Sequence, residues 1–169
     1  MVVLEERESA LERGAPILAE ILGYGESCDA THMSSPQAEG MKSAMLRCLA
    51  DAGLPPDAID YVCAHATGTE QGDGVEAAAT FALFGDRIPV SSLKGHFGHM
   101  LAACGTIELI CSILAIQQSV VPPTLNLQNP DVAPLWLPTV PHPQVLRRVM
   151  SNNFAFGGIN TSLLVAAPD

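Results

Sequence analysis

The longest apolar stretch of this sequence, Met100 to Gln117, constrains the fold more than any other segment. It is apolar on nearly every face of a helix, and such a helix is buried on every side. The fold therefore needs one layer of structure above this helix and another below it. Because Glu108 interrupts a stretch that is already short for a membrane span, we expect no association with a membrane.

Helices and strands alternate along the rest of the chain, and the last two strands form a hairpin. The hairpin signal is the Gly157-Gly158 pair between two apolar runs. This alternation predicts an α/β fold with a mostly parallel sheet. A chain of 169 residues suffices for one compact domain, which we place at residues 1–169. The predicted helices span Glu39 to Ala52 and a segment ending at Phe84 with Asp73 as its N-cap; the predicted strands span Ala15 to Gly25, Ile59 to Ala64, Ile88 to Ser91, Val149 to Ala155 and Thr161 to Ala166.

Composition excludes several classes of function. The net charge is −10, which disfavours binding to nucleic acid or to an anionic membrane surface. Charged residues make up only 15% of the chain, against about 25% in a typical domain, which suggests that another chain or domain covers part of the surface. The five cysteines have no CxxC spacing, so we expect reduced thiols in a cytoplasmic protein and no metal site.

Two histidines stand in loops that follow or precede predicted elements. His65 directly follows a strand, although a lone histidine in that place is more often structural than functional. His99 opens the apolar helix, where the helix dipole disfavours a positive imidazolium. Two neutral imidazoles that converge on one carbonyl would form an oxyanion hole without a metal ion. The histidines His32, His96 and His142 show no partner pattern, and we interpret them as structural or exposed.

Lys94 is the second candidate group for the same site. Taken alone it reads as a surface lysine, but Glu108 on the apolar helix needs a partner, and Lys94 is the nearest candidate along the chain. Asp73 and Glu76 are further candidate counter-charges. The loop Asn152 to Asn160 is either a backbone nest or a substrate gate, and its two phenylalanines could equally be core residues.

Four motifs occur in order: AHATGT-x-QGD, K-x-x-x-GH-x-x-x-A-x-G-x-IE, PPT-x-N-x-x-NPD and N-x-F-x-FGG-x-N. Together they resemble the second half of a β-ketoacyl-acyl-carrier-protein synthase, a condensing enzyme of fatty acid and polyketide synthesis. The resemblance covers essentially the whole chain. It implies a thiolase-like fold of two βαβαβαββ halves in five layers, of which this chain is the carboxy-terminal half, with a mixed five-stranded sheet and a buried central helix.

The resemblance also implies roles for individual residues. His65 and His99 match the histidines of a Cys-His-His triad, which bind the thioester carbonyl and assist decarboxylation of the malonyl group, and Lys94 matches the active-site lysine. The remaining matches are a supporting acidic network of Asp73, Glu76 and Glu108, an acyl gate of Phe156 with Phe154 beside it, and the pantetheine-tunnel threonines Thr67 and Thr69.

The nucleophilic cysteine of the family lies in the first half, and no sequence of that kind occurs here. Cys63 and Cys104 lie near the two histidines in sequence, but both are better interpreted as packing thiols. The resemblance therefore implies an acyltransferase that is inactive until a complementary half supplies the thiol. It implies no cofactor, since the substrates are carried on the phosphopantetheine of an acyl carrier protein.

Three hypotheses remain open from the sequence. The chain could be the catalytic carboxy-terminal half of a ketosynthase, paired with an amino-terminal half or another ketosynthase-like subunit. It could instead be a non-catalytic ketosynthase-like partner, such as a subunit that sets chain length, or an inactive fragment that merely folds. On the first hypothesis, the apolar helix would expose one face whenever the other half is missing.

Overall fold

A five-stranded sheet forms the centre of the molecule, for which a computed structural model describes residues 1–31, 34–132 and 134–168. The strands lie in the order β1-β7-β6-β2-β3. Strand β2 is parallel to both β3 and β6, whereas β7 runs antiparallel to both β1 and β6. The sheet is thus mixed, as the family resemblance implies, and less parallel than the alternation alone predicts. The strands are β1 (Glu20–Cys28), β2 (Tyr61–Cys63), β3 (Val90–Ser91), β6 (Arg148–Ala155) and β7 (Ile159–Ala166), with a separate pair β4 (Val120–Val121) and β5 (His142–Pro143).

The predicted hairpin is confirmed between β6 and β7. Gly157 and Gly158 form its turn with φ angles of +87° and +74°, which side chains with a Cβ rarely adopt. Gly158 also packs so closely on Asp29 that a Cβ would meet the Asp29 Cβ at 2.8 Å. The turn therefore needs glycine at this position for two reasons, backbone conformation and close approach.

Helices pack on the two faces of the sheet, and the alternation of strand residues shows which helix is on which face. Val62 of β2 and Met150 of β6 belong to the core beneath α2 and α3. Their neighbours Cys63 and Val149 belong to the core beneath α5, because successive strand side chains point to opposite faces. The helices are α1 (Arg7–Glu12), α2 (Ala38–Asp51), α3 (Glu70–Phe84), α4 (Lys94–Phe97) and α5 (Cys104–Gln118).

The start of α3 differs from the prediction. Asp73 is not the N-cap, because the helix already begins at Glu70 with Thr69 as its N-cap. The Asp73 carboxylate instead accepts hydrogen bonds from the backbone N–H groups of Gly68 and Thr69 from inside the first turn. The prediction of Asp73 as the N-cap is therefore wrong, because its carboxylate binds donors that precede the helix from a position inside the first turn.

Helix α5 is shorter than predicted and is covered on one side only. A 3₁₀ turn occupies Leu101–Ala103, and the α-helix begins at Cys104. Only a stripe of the helix is buried, and Leu114 on the opposite side is 47% exposed. By length and composition Leu101–Gln118 could cross a membrane, but in this chain the helix packs on the sheet through its buried stripe. The stripe consists of Cys104, Glu108, Ser112, Ala115 and Ile116.

Candidate functional site

The two candidate histidines meet at the ends of β2 and of the loop that precedes α5. The ring centroids of His65 and His99 are 5.5 Å apart, and the rings are nearly perpendicular at 85°. Phe154 of β6 packs edge-on against His65, with centroids 6.2 Å apart. The sequence separates the two histidines by 34 positions, and the sheet brings them together.

Glu76 of α3 holds the backbone of the loop that carries His65. One carboxylate oxygen accepts the His65 N–H at 2.8 Å, and the other accepts the Ala66 N–H at 2.7 Å. Burial raises the pKa of Glu76 to about 7, although these two backbone hydrogen bonds act in the opposite direction. The carboxylate therefore anchors the loop without contacting either imidazole through a hydrogen bond.

Burial also sets the charge state of His65. Desolvation lowers the pKa of its imidazole to about 3, and the nearby Lys94 and His99 contribute in the same direction. Its Nδ1 atom is buried and has no hydrogen-bond partner within the described part of the chain. The ring is consequently neutral at physiological pH.

His99 is oriented through its Nδ1 atom. The backbone N–H of Leu101 donates a hydrogen bond to Nδ1 at 3.1 Å, so the proton of the neutral ring resides on Nε2. Leu101 itself adopts the left-handed region, with a φ of +52°. The Cys104 sulfur lies 3.2 Å from the same nitrogen.

Lys94 and Glu108 form the ion pair expected from the sequence. The Lys94 Nζ atom lies 2.6 Å from Glu108 Oε1, and the two side chains are only 8% and 3% exposed. The other carboxylate oxygen, Oε2, accepts a hydrogen bond from the Asn153 side-chain amide at 3.0 Å. Both oxygens of the buried carboxylate are therefore satisfied, which a buried charge requires.

Two threonines and two phenylalanines are the other predicted site residues. Thr67 and Thr69 are within hydrogen-bond distance of each other, at 3.1 Å between hydroxyl oxygens, on the loop before α3. Phe154 belongs to the core, whereas Phe156 is 81% exposed at the hairpin turn. The structure thus brings Phe154 to the histidines and leaves Phe156 on the surface.

Sequence reasoning missed three contributors to this site. Asn153 precedes Phe154 in a predicted strand, and nothing in the pattern indicated its bond to Glu108. The Leu101 N–H carries no sequence signature because it is a backbone group, and Cys104, expected only as a packing thiol, also contacts His99 Nδ1 through its sulfur. Burial raises the pKa of the Cys63 thiol above its usual range, which agrees with a packing role for that residue.

The remaining histidines stay outside this arrangement. His96 Nε2 is 2.9 Å from the Pro123 carbonyl oxygen, and His142 packs edge-on against Trp136. His32 lies outside the described residues. The chemistry available at the site is hydrogen-bond donation from two imidazoles, one of them held neutral by burial, beside a fixed positive charge.

Comparison with known proteins identifies the class of this fold and site. Residues 18–128 match the family described as the β-ketoacyl synthase C-terminal domain. A crystal structure of a β-ketoacyl synthase from Burkholderia phymatum is 46% identical, with a TM-score of 0.94 over 98% of this chain and 41% of that one. The chain belongs to the β-ketoacyl synthase family as a C-terminal domain, and its fold is thiolase-like, as predicted.

Two further relatives are similar to this chain over nearly its whole length. The 3-oxoacyl-[acyl-carrier-protein] synthase 2 of Coxiella burnetii is 44% identical over 98% of this chain. A structure described as the ishigamide ketosynthase/chain length factor is 38% identical, with a TM-score of 0.93 over 98% of this chain and 42% of that one. The chain spans about two fifths of the length of the curated relatives it matches, 42% in the Coxiella protein.

Proposed function

We propose that this chain supplies the carbonyl-binding part of a β-ketoacyl synthase site, an acyltransferase site for decarboxylative Claisen condensation. The observation that carries the proposal is the pair of imidazoles at 5.5 Å, with His65 neutral and His99 presenting an Nε2–H. Two such donors stabilise negative charge that develops on one oxygen. The names of the relatives, 3-oxoacyl-[acyl-carrier-protein] synthases, support the same reaction class.

The proposed step concerns the thioester carbonyl of a malonyl group on the phosphopantetheine of an acyl carrier protein. The bond between the malonyl carboxylate and Cα breaks, carbon dioxide leaves, and the electron pair forms an enolate whose oxygen the two histidines bind. The Cα then attacks the carbonyl of an enzyme-bound acyl thioester, and the enzyme cysteine leaves as a thiolate. His65 and His99 act as hydrogen-bond donors in this scheme, because a neutral imidazole donates without adding a full positive charge.

The residues around the histidines have positioning roles in this proposal. Glu76 fixes the His65 loop, and Asp73 fixes the turn that carries Thr67 and Thr69 toward the pantetheine arm. The Lys94–Glu108 pair is proposed to place the Lys94 ammonium near the malonyl carboxylate that leaves as carbon dioxide. Exposed Phe156, with Phe154 behind it, is the proposed gate for the acyl chain.

A second polypeptide segment must complete this site. The chain contains no candidate nucleophile in the described residues whose thiol is both exposed and next to the histidines, since Cys63 and Cys104 are buried. The partner we propose is a ketosynthase amino-terminal half or ketosynthase-like subunit, with an acyl carrier protein as the substrate carrier. We place the assembly in the cytoplasm and assign it no metal or cofactor.

The test is to assemble the chain with a cysteine-bearing first half and measure carbon dioxide release from malonyl-carrier protein. His65→Ala and His99→Ala should each abolish release, whereas His142→Ala provides a matched control because that histidine only packs on Trp136. Activity in either of the first two variants comparable with the unmodified assembly would contradict the proposed roles. Binding of the first half by each variant should be measured in the same preparations.

A non-catalytic ketosynthase-like subunit is the second candidate function. The similarity to the ishigamide ketosynthase/chain length factor structure favours it specifically. On this alternative the chain binds its partner and changes product length, but the His65→Ala and His99→Ala assemblies release carbon dioxide at the unmodified rate. The same assay therefore separates the two functions.

A further inference from the structure

The sulfur of Cys104 occupies an unusual place for a small core residue. The residue is the first of α5, is only 4% exposed, and lies five positions after His99. Its sulfur accepts the backbone N–H of Met100 at 3.1 Å and lies 3.2 Å from His99 Nδ1. The thiol is therefore held by the backbone of the loop and directed at the histidine by the same turn.

The hydrogen bond from Leu101 to His99 determines which atom donates in the contact between Cys104 and His99. Nδ1 accepts the Leu101 N–H at 3.1 Å, so this nitrogen carries no proton in the neutral ring. A thiol is a weak donor as well as a weak acceptor. Next to an unprotonated nitrogen the thiol can only donate, sharing the Nδ1 lone pair with the Leu101 N–H, while its sulfur accepts the Met100 N–H.

We infer that Cys104 is a positioning residue, whose S–H donates to Nδ1 and, together with the Leu101 N–H, keeps the His99 proton on Nε2. The two donors approach one nitrogen from the 3₁₀ turn and from the start of α5. They fix both the tautomer and the plane of a ring that is otherwise exposed on the described chain. An alanine at this position would lack the sulfur and would donate nothing.

This inference deepens the proposed function, because the Nε2–H of His99 is one of the two donors to the enolate oxygen. It does not require the chain to be catalytic, since the hydrogen bond exists in the chain by itself. A spectroscopic test of the hydrogen bond and a kinetic test of its effect can therefore fail separately.

The spectroscopic test uses the chain labelled with 15N-histidine, at a pH about one unit above the ordinary imidazole pKa and about one unit below the ordinary thiol pKa, which favours a neutral imidazole beside an S–H group. The unmodified chain should show His99 as the Nε2–H tautomer, with an Nδ1 resonance displaced by hydrogen bonding. Cys104→Ala should move that Nδ1 resonance toward the value of a ring with one donor fewer, and Cys104→Ser should keep it displaced. The matched control is Cys111→Ala, because Cys111 lies on the same helix in the core beneath α5.

An Nδ1 resonance of His99 that is identical in Cys104→Ala and in the unmodified chain would overturn the hydrogen bond. Should Cys104→Ala unfold, the serine variant decides the question, because an undisplaced Nδ1 resonance in a folded Cys104→Ser chain also overturns it. The histidines His96 and His142 serve as internal references in every spectrum.

The kinetic test compares carbon dioxide release in the assembly with the cysteine-bearing half. A hydrogen bond of ordinary net strength predicts a fall of about threefold for Cys104→Ala, with recovery in Cys104→Ser. The loss should fall on kcat rather than KM, because binding of the carrier arm does not depend on the His99 tautomer. If Cys104→Ala shifts the His99 Nδ1 resonance but leaves kcat unchanged, the proposed contribution of this hydrogen bond to catalysis is overturned. No release from the unmodified assembly would instead overturn the proposed function and leave the spectroscopic result intact.

Discussion

The two faces of the central sheet differ in how completely they are covered. On one face, α2 and α3 lie side by side and enclose a core that contains fully buried Met45. On the other face α5 lies alone, buries a single stripe, and leaves Leu114 half exposed together with Leu101 at 76%. Helix α2 on the first face is amphipathic, whereas α5 carries the apolar Leu114 on its outer side.

Much of the candidate site lies on the open face, although Glu76 of α3 anchors the His65 loop from the closed face. The closed face contributes buried apolar area, whereas Lys94, His99, Cys104 and Glu108 all lie on or beside α5. An apolar face of this kind marks a site of association.

The largest expected effect comes from breaking the ion pair on the open face. Lys94→Met leaves the Glu108 carboxylate buried without its cation, which should lower the free energy of unfolding by about 3–5 kcal/mol in a denaturant titration. The double variant Lys94→Met/Glu108→Leu should recover much of that loss, because no unpaired charge remains. As a control, Arg13→Ala removes an exposed pair with Glu5 and should change stability little. Equal losses in the single and double variants would contradict the account.

The closed face should be sensitive to loss of volume. Met45→Ala removes a fully buried side chain between α2 and the sheet, and the cavity should cost about 3 kcal/mol of unfolding free energy. The exposed Leu46, which is the next residue on the same helix, is the matched control, and Leu46→Ala should be close to neutral. A similar loss of unfolding free energy for both variants would show that α2 does not pack on the sheet through the side that carries Met45.

The pH dependence of stability should differ between Glu76 and His65. Burial raises the Glu76 pKa from 4.5 to about 7, so its stabilising contribution is present below pH 4.5 and is lost as pH rises through about 7. The difference in unfolding free energy between the unmodified chain and Glu76→Gln should therefore shrink by about 2–3 kcal/mol across that range.

The stability that depends on His65 should change with pH in the opposite direction. Its pKa is lowered from 6.5 to about 3, so the stability that depends on the neutral ring is present above pH 6.5 and is lost as pH falls through about 3. The difference between the unmodified chain and His65→Ala should therefore grow as pH rises from 4.5 to 6.5. Two differences that change in the same direction would contradict the assigned environments.

The smallest expected effect on stability is on the outer side of α5. Leu114→Gln should change the unfolding free energy of the chain by less than about 0.5 kcal/mol, because the side chain is already half exposed. It should nevertheless reduce self-association and weaken binding of a first half, as measured by sedimentation of the chain alone and of the mixture. Unchanged self-association and unchanged binding of the first half would show that this face is not an interface.

Much of the architecture was predictable from local pattern. Helix α2 was placed within one residue at each end, because its apolar positions recur at helical spacing and Gly53 follows it. The hairpin of β6 and β7 was predictable because two glycines separate two apolar runs. The start of α3 was placed four residues too late, because Asp73 resembles an N-cap by type while Thr69 holds that position.

The candidate site was predictable to a lesser degree, and for a physical reason. Side chains with distinctive chemistry, such as His65, His99 and Lys94, stand out in motifs. The groups that orient them do not, because the Leu101 N–H, the Cys104 thiol and the Asn153 amide act through position rather than through type.

The sequence by itself determined the order of elements, the family and the apolar character of α5, because periodicity, glycine placement and motif spacing are local properties. Only the tertiary structure decided how the two imidazoles face each other, that His65 is neutral through desolvation, and that Asn153 joins the Lys94–Glu108 pair. It also decided that α5 is covered on one side alone. Distances, burial and pKa values depend on which segments the sheet brings together. The sequence of a single segment does not determine its neighbours in the fold.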